Sequence, residues 1–321
     1  MSQPKAAEWQ RFERYSDKQT HYQVAIITDE DQSSKIQLED GQSAWHSRLR
    51  IDEVARQVDS ATGDVQYHFH DLPPDDTHEY SLVSLIAEGD RGAEFSELVQ
   101  FGKHLLTFDD RTGLVCEVRN FSQLVPRQIL MTGSGDEEFK GFKSEWATLK
   151  DNHLYIGSHG KRPQEEWIKV IGRHYGLQSV NWHENYQKIR EAAGVSGEGY
   201  IIHEAAEWHP VLKKWLFFPR KLSNQPFDPE HDERECGNNR LFICSEDFSH
   251  IQVIEVGQRH PERGVSSIKL VPGRQNECIG LKSVEIGDRT ETYFFAFDLT
   301  GRVLQQDTLI GHYKCEGIEI L

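Results

Sequence analysis

The sequence has no surplus of basic charge. Its 321 residues carry 36 lysines and arginines against 52 aspartates and glutamates, a formal net charge of −16. Such a chain repels the phosphate backbone, which argues against a non-specific nucleic-acid binder. Long apolar runs are missing too. Nothing approaches the ~18 residues of a spanning helix, so no membrane segment is expected. The first fifteen residues lack the apolar core of a secretory signal. Either Met1 begins a cytosolic protein or an export segment has been removed, and the compartment stays open. Cysteine is sparse and scattered (Cys116, Cys236, Cys244, Cys278 and Cys315) with no C-x-x-C pair. An odd, dispersed set reads as free thiols rather than a disulfide frame. No G-x-x-x-x-G-K-[ST] segment occurs, so any nucleotide chemistry would proceed without a P-loop. Gly133-Ser134-Gly135 is not followed by the third dinucleotide glycine. His203-Glu204-Ala205-Ala206-Glu207 puts a glutamate where a zinc-protease motif needs its second histidine. His68 and His70 have the spacing of two strand ligands, but no third partner is identifiable.

Strand signals are plentiful. Apolar residues make up 37% of the chain, a globular composition, and they gather in short β-branched and aromatic runs. Strands are expected at Tyr22–Thr28, Leu105–Asp109, Leu114–Val118, Leu154–Gly157, Trp167–Ile171, Trp215–Pro219, Leu241–Ser245, Ile251–Val256, Ser267–Val271, Cys278–Lys282 and Thr292–Asp298. Turn residues separate them, as in Arg111-Thr112-Gly113 and Pro272-Gly273. Two helices are expected: Lys5–Tyr15, and Trp182–Ala193 with Gly194 as its C-cap. The acidic stretches 57–79 and 222–237 read as surface insertions. The length admits two ordinary domains or one large closed β architecture.

A repeat favours the closed architecture, although repeats this divergent are also compatible with two stacked β domains. Placing Ser96 on Glu145 aligns Lys103-His104-Leu105-Leu106 with Asn152-His153-Leu154-Tyr155, and each unit reads as a polar residue, a strand, a turn and a second strand. Looser copies start at Glu204, Ser266 and Glu316, giving intervals of 49, 59, 62 and 50 residues. That interval suits one four-stranded sheet per unit, so the expected fold is an all-β, five-bladed β-propeller. The last unit stops after one strand, and N-terminal strands near Tyr22–Thr28 would complete it and leave no bare edge. The expected organisation is an N-terminal helical extension over residues 1–20 and a single propeller domain over 21–321.

If each unit's first residue opens its innermost strand, then Ser96, Glu145, Glu204, Ser266 and Glu316 point at one central channel. Three converging carboxylates without a counter-ion are costly, because like charges in a confined site cannot all ionise. A hard cation resolves this, and calcium accepts the many oxygens that such a ring offers. The plain alternative is a set of strand-end polar residues with no common focus.

Several segments resemble the calcium-activated nucleotidase (apyrase) family. They are Phe142-Lys143-Ser144-Glu145-Trp146, Asp109-Asp110-Arg111-Thr112-Gly113, Ile202-His203-Glu204, Ser266-Ser267 and Glu316-Gly317-Ile318-Glu319, with Arg91–Ser96, Phe218-Pro219-Arg220 and Asp232-Glu233-Arg234. The resemblance runs in order from about Tyr22 to Leu321. It implies a five-bladed propeller with a central calcium that hydrolyses nucleoside diphosphates such as UDP, GDP or ADP and, variably, triphosphates. The five ring positions fall on the family's calcium positions. Asp29, Asp31 and Asp110 resemble its active-site acids; the first two alternate along a strand end and would point to one side. Arg111, Lys143, Arg220 and Arg234 are the expected phosphate cations. Trp182 is either a base-stacking surface or a core residue, and Val180 stands where the family has an acidic residue. A rival class is a calcium-stabilised propeller that binds nucleotides or sugar-nucleotides without turning them over. A monomer or weak homodimer is expected in either case.

Overall fold

The computed structural model describes residues 14–16, 19–72, 78–136 and 140–321. These form a five-bladed β-propeller. The first blade holds Phe95–Phe101, His104–Asp109, Leu114–Arg119 and Gln123–Ile129, in that order from the centre. The second holds Trp146–Lys150, His153–Gly157, Trp167–Ile171 and Leu177–Asn181. The third holds Ala206–His209, Lys214–Phe217, Arg240–Ser245 and Ile251–Glu255, and the fourth Gly264–Leu270, Glu277–Ile286, Arg289–Asp298 and Val303–Gly311. Each expected strand after Thr28 coincides with one of these elements, though Trp215–Pro219 runs two residues past its strand and Ile251–Val256 and Ser267–Val271 one residue past theirs.

The fifth blade joins the two ends of the chain. Its inner strand is Cys315–Ile320, paired antiparallel with Gln19–Thr28 in the register Val24↔Ile320, Ala25↔Glu319 and Ile26↔Ile318. The long strand Ser43–Val58 follows, and both Val65–His70 and Glu79–Ser84 pair with it. Alternation along Gln19–Thr28 explains why this closure holds. Val24 and Ile26 pack toward the fourth blade with Ile279, Leu281 and Phe294, whereas Ala25 and Ile27 pack toward the first with Phe95 and Leu98. Five such apolar clusters, one per blade interface, make up the core.

The inner strands approach closely. A Cβ on Gly317 would lie 2.7 Å from the Cα of Glu97 and 2.8 Å from the nitrogen of Leu98. Backbone cannot yield as a flexible side chain can, so Gly317→Ala forces the fifth and first blades apart. We expect a loss of about 1–3 kcal/mol, read as a lower urea midpoint.

Two helices occur among the described residues. The first, α1 (His183–Ala193), ends at Gly194 with φ of 70°, the expected left-handed cap. The second, α2 (Pro229–Glu235), replaces part of the expected surface insertion at 222–237. Asp228 caps it through a bond from the His231 amide, and Pro229 opens the first turn. Stretch 57–79 also departs from a plain insertion, since Val65–His70 is a blade strand; residues 73–77 lie outside the described set. Most of the expected helix Lys5–Tyr15 lies outside it as well, and Arg14–Ser16 is a short strand paired with Gln19–His21. No described helix is long and apolar enough to cross a membrane. All five cysteines are buried and free.

Candidate active site

The ring residues cluster at the starts of the inner strands: Glu145 and Glu204 lie one and two residues before theirs, Ser96 and Glu316 are second in theirs, and Ser266 is third. Glu145, Glu204 and Glu316 line a cleft of about 210 Å³ there, with Asp110, Lys143, His159, Arg220 and Lys314. All three glutamates are buried. Cations interleave with them. Lys143 lies 2.5 Å from Glu145 and also contacts Asp110. The imidazole Nε2 of His159 sits 2.9 Å from Glu145 and 3.1 Å from Glu204. Arg220 reaches Glu204 at 2.5 Å and Glu316 at 3.1 Å, and Lys314 stands 2.9 Å from Glu316 and 2.7 Å from Asp29. Around the mouth the order is Asp110, Lys143, Glu145, His159, Glu204, Arg220, Glu316, Lys314, Asp29. Along this run each contact joins opposite signs, while Asp29 and Asp110 at its two ends repel each other.

The alternation controls the protonation states. Burial disfavours the charge on Glu204, but Arg220 and His159 overcome it and hold the carboxyl well below its ordinary range. Burial likewise opposes charge on His159, yet Glu145 beside it drives the imidazole up to about 9. Lys143 and Lys314 also stay charged against burial, through Asp110 and Asp29 respectively. Glu316 departs from this pattern. Burial pushes it well above 4.5, and Asp29 and Glu204 add to that against Lys314.

The two serines of the ring lie deeper. Ser96 is 1% exposed and its hydroxyl has no hydrogen-bond partner. Ser266 donates to the carbonyl of Cys315, one residue before Glu316, at 3.0 Å. A buried hydroxyl without a partner and three buried glutamates around one cleft form an oxygen-rich donor set that fits a hard cation. Among the described residues, two groups bring three possible ligand atoms within 4.8 Å of one another: Glu145, His159 and Glu204, and Asp29, Asp31 and Glu94.

The second group arises from a turn. The strand ends at Thr28, and Asp31 opens a 3₁₀ turn with φ of 45°, so Asp29 and Asp31 do not alternate along a strand as expected. Asp29 Oδ1 instead accepts the Asp31 amide at 2.8 Å. Arg91 Nη2 donates to Asp31 at 3.2 Å and also grips Glu94. The hairpin at 109–113 divides its two aspartates by role. Asp109 accepts the amides of Arg111, Thr112 and Ala93 and so builds the turn. Asp110 turns into the cleft, where Lys143 contacts one oxygen and the other has no hydrogen-bond partner.

Of the expected phosphate cations, Lys143 and Arg220 line the cleft. Arg111 stands outside its wall, 3.4 Å from Glu88. Arg234 also lies outside, 54% exposed on α2 and 3.6 Å from Glu230, although its neighbours Asp232 and Glu233 face the cleft. Trp182 is a core residue. It is 8% exposed and stacks among Trp146, Trp215, Tyr186 and Phe248 between the second and third blades, where no base can reach it. Sequence reasoning did not assign His159, Lys314, Glu94, Lys161 or Phe227. Glu94 lies within Arg91–Ser96, and the blank was its role rather than its segment. The other four sit in loops and short connections with no periodic signature.

A larger cavity, about 860 Å³, opens at the opposite ends of the same inner strands, around Glu207, Lys269 and Glu319. Glu207 accepts from Thr148 at 2.7 Å, and burial raises its carboxyl to about 7 despite Lys269. The folded state therefore keeps a proton that the unfolded chain releases near 4.5. Stability falls as pH rises between about 4.5 and 7 on this account. Glu207→Gln should flatten that slope, measured as urea midpoints across pH at fixed ionic strength.

Known proteins resemble this chain along most of its length. The family model described as Apyrase matches residues 30–321. The chain is 37% identical over 311 residues to "Soluble calcium-activated nucleotidase 1" of Rattus norvegicus, covering 94% of this chain and 74% of that protein. It is 36% identical over 312 residues to "Apyrase" of Cimex lectularius, covering 94% and 82%. It is 33% identical over 319 residues to "Apyrase apy-1" of Caenorhabditis elegans, covering 95% and 86%. A propeller whose inner strands present Glu145, Glu204 and Glu316 beside Asp110 thus has relatives along nearly its whole length, and the chain belongs to the apyrase family.

Proposed function

We propose that the chain is a calcium-dependent phosphohydrolase that converts nucleoside diphosphates, and in some measure triphosphates, to monophosphate and inorganic phosphate. The observation that carries this reading is the alternation of carboxylates and cations around one channel mouth, with the Asp110 oxygen left without a partner. Glu145, Glu204, Glu316, Ser96 and Ser266 would hold the calcium; all offer oxygen, and the wide ring suits its flexible coordination better than the tight octahedron of magnesium. When bound, calcium supplies positive charge that offsets the converging carboxylates and the phosphate oxygens.

The protein's own groups do the rest. Lys143, Arg220 and Lys314 present cations to the diphosphate, and the fork of Arg220 suits two phosphate oxygens at once. Asp110 orients a water for attack on the terminal phosphorus and accepts its proton. Asp29 and Asp31, with Glu94, hold Lys314 and Arg91 at the side of the cleft and stand as the other acids near the reacting phosphate. Nucleotide substrate enters from solvent at the mouth.

Phosphate release from UDP, GDP, ADP and ATP, compared in calcium, magnesium and chelator, tests the reading. Release from a diphosphate in calcium alone supports it. Calcium and nucleotide binding with no release from any nucleotide sinks the hydrolase reading and leaves a nucleotide-binding propeller.

A further inference from the structure

The cleft is charged on nearly every side, yet one wall carries an exposed aromatic ring. Phe227 lines it with 46% of its surface exposed, the one exposed phenylalanine or tryptophan among the described residues. Local sequence does not require it there. Phe227 precedes Asp228, the N-cap of α2, and a ring at that position ordinarily packs against the fourth helical residue. That residue is Asp232, which instead accepts the buried Tyr200 hydroxyl. The ring is thus released from α2. Tyr200 meets it edge to face at 5.4 Å between centroids, and the Lys161 ammonium lies 3.7 Å from its centre. Both supports come from outside the helix, so the ring is held in place while remaining open to solvent.

We infer that Phe227, on the face that Lys161 leaves open, is the stacking surface for the nucleobase. The inference rests on the nucleotide reading above and adds to it the location of the base. The phosphate cations Lys143, Arg220 and Lys314 gather at the ring glutamates, while Phe227 and Lys161 stand on the wall formed with α2. A nucleotide with its phosphates at the glutamates has an apolar, flat group to place, and this ring is the flat apolar surface on that wall. Every base has a π-face, so a phenylalanine here accepts purines and pyrimidines alike. The core position of Trp182 leaves this role open.

The test compares the full chain, in calcium, with Phe227→Ala and Phe227→Trp. Calorimetric binding of α,β-methylene-UDP and phosphate release from UDP are both measured. Removing one stacking surface should weaken analogue affinity about tenfold, with a parallel rise in KM. The kcat at saturating UDP should stay within about twofold, because the phosphate groups are untouched. Phe227→Trp should restore affinity. Unchanged affinity in Phe227→Ala overturns the inference, as does a loss that tryptophan does not rescue. If the native chain binds the analogue but releases no phosphate from UDP, the hydrolase reading fails while the binding series still judges Phe227. If it does not bind the analogue at all, both fall.

Discussion

Asp110→Asn is expected to lower kcat for nucleoside diphosphates by about 10²–10⁴-fold with calcium saturating. Asparagine keeps the shape of the side chain and removes its ability to take a proton. Asp110 is only 10% exposed, one oxygen is engaged by Lys143, and the other has no hydrogen-bond partner. On the proposed reading, this free carboxylate oxygen, facing the cleft beside the cations, holds and deprotonates water. Lys143 keeps Glu145 as a partner in the variant, so its position survives. Asp109→Asn is the informative control. Asp109 accepts three backbone amides and does not reach the cleft, so its replacement should lower stability and leave kcat nearly intact. Steady-state rates and urea midpoints on both variants separate the two roles. Unchanged turnover in Asp110→Asn removes it from the catalytic set.

The contrast between these adjacent aspartates shows what a sequence can disclose about such a site. The repeat was legible because an innermost blade strand must begin with a residue facing the channel, and that requirement recurs once per blade. Spacing alone therefore marked Ser96, Glu145, Glu204, Ser266 and Glu316 as strand-start positions, and all five lie within two residues of where an inner strand begins, while their convergence could not be read from it. The counter-charges obey no such rule. His159 and Lys314 sit in connections outside the strands, and they meet their glutamates only after the ring has closed. Phe227 was hidden for a related reason. A phenylalanine in an acidic stretch with prolines reads as loop, and only the position of Tyr200, distant in sequence, makes it a supported ring. Trp182 shows the reverse case. The sequence left it open between a base-stacking surface and the core, and blade packing puts it in the core with Trp146 and Trp215 as neighbours. Motif context identifies a segment; which way each side chain faces is decided by the blades on either side.

Arg220 offers the strongest test of whether a metal belongs at the ring. It is 8% exposed and contacts Glu204, Glu316 and Glu285. Its stem fills space that Gly264 leaves open, since a Cβ there would lie 2.3 Å from the Arg220 Cγ. Arg220→Met keeps much of that stem and removes the charge. In chelator, the buried Glu204 carboxylate would then lose its main cation, and breaking a buried pair in this way costs about 3–5 kcal/mol. Calcium held by the ring residues should recover most of the loss, because it would supply positive charge to the same buried carboxylate. The expected signature is a larger calcium-induced rise in urea midpoint for Arg220→Met than for the native chain. Arg220→Lys should fall between them in chelator, retaining a charge but not the fork that spans two carboxylates. An equal loss with and without calcium would place the metal elsewhere, with the Asp29, Asp31 and Glu94 group the next to examine by the same pair of measurements.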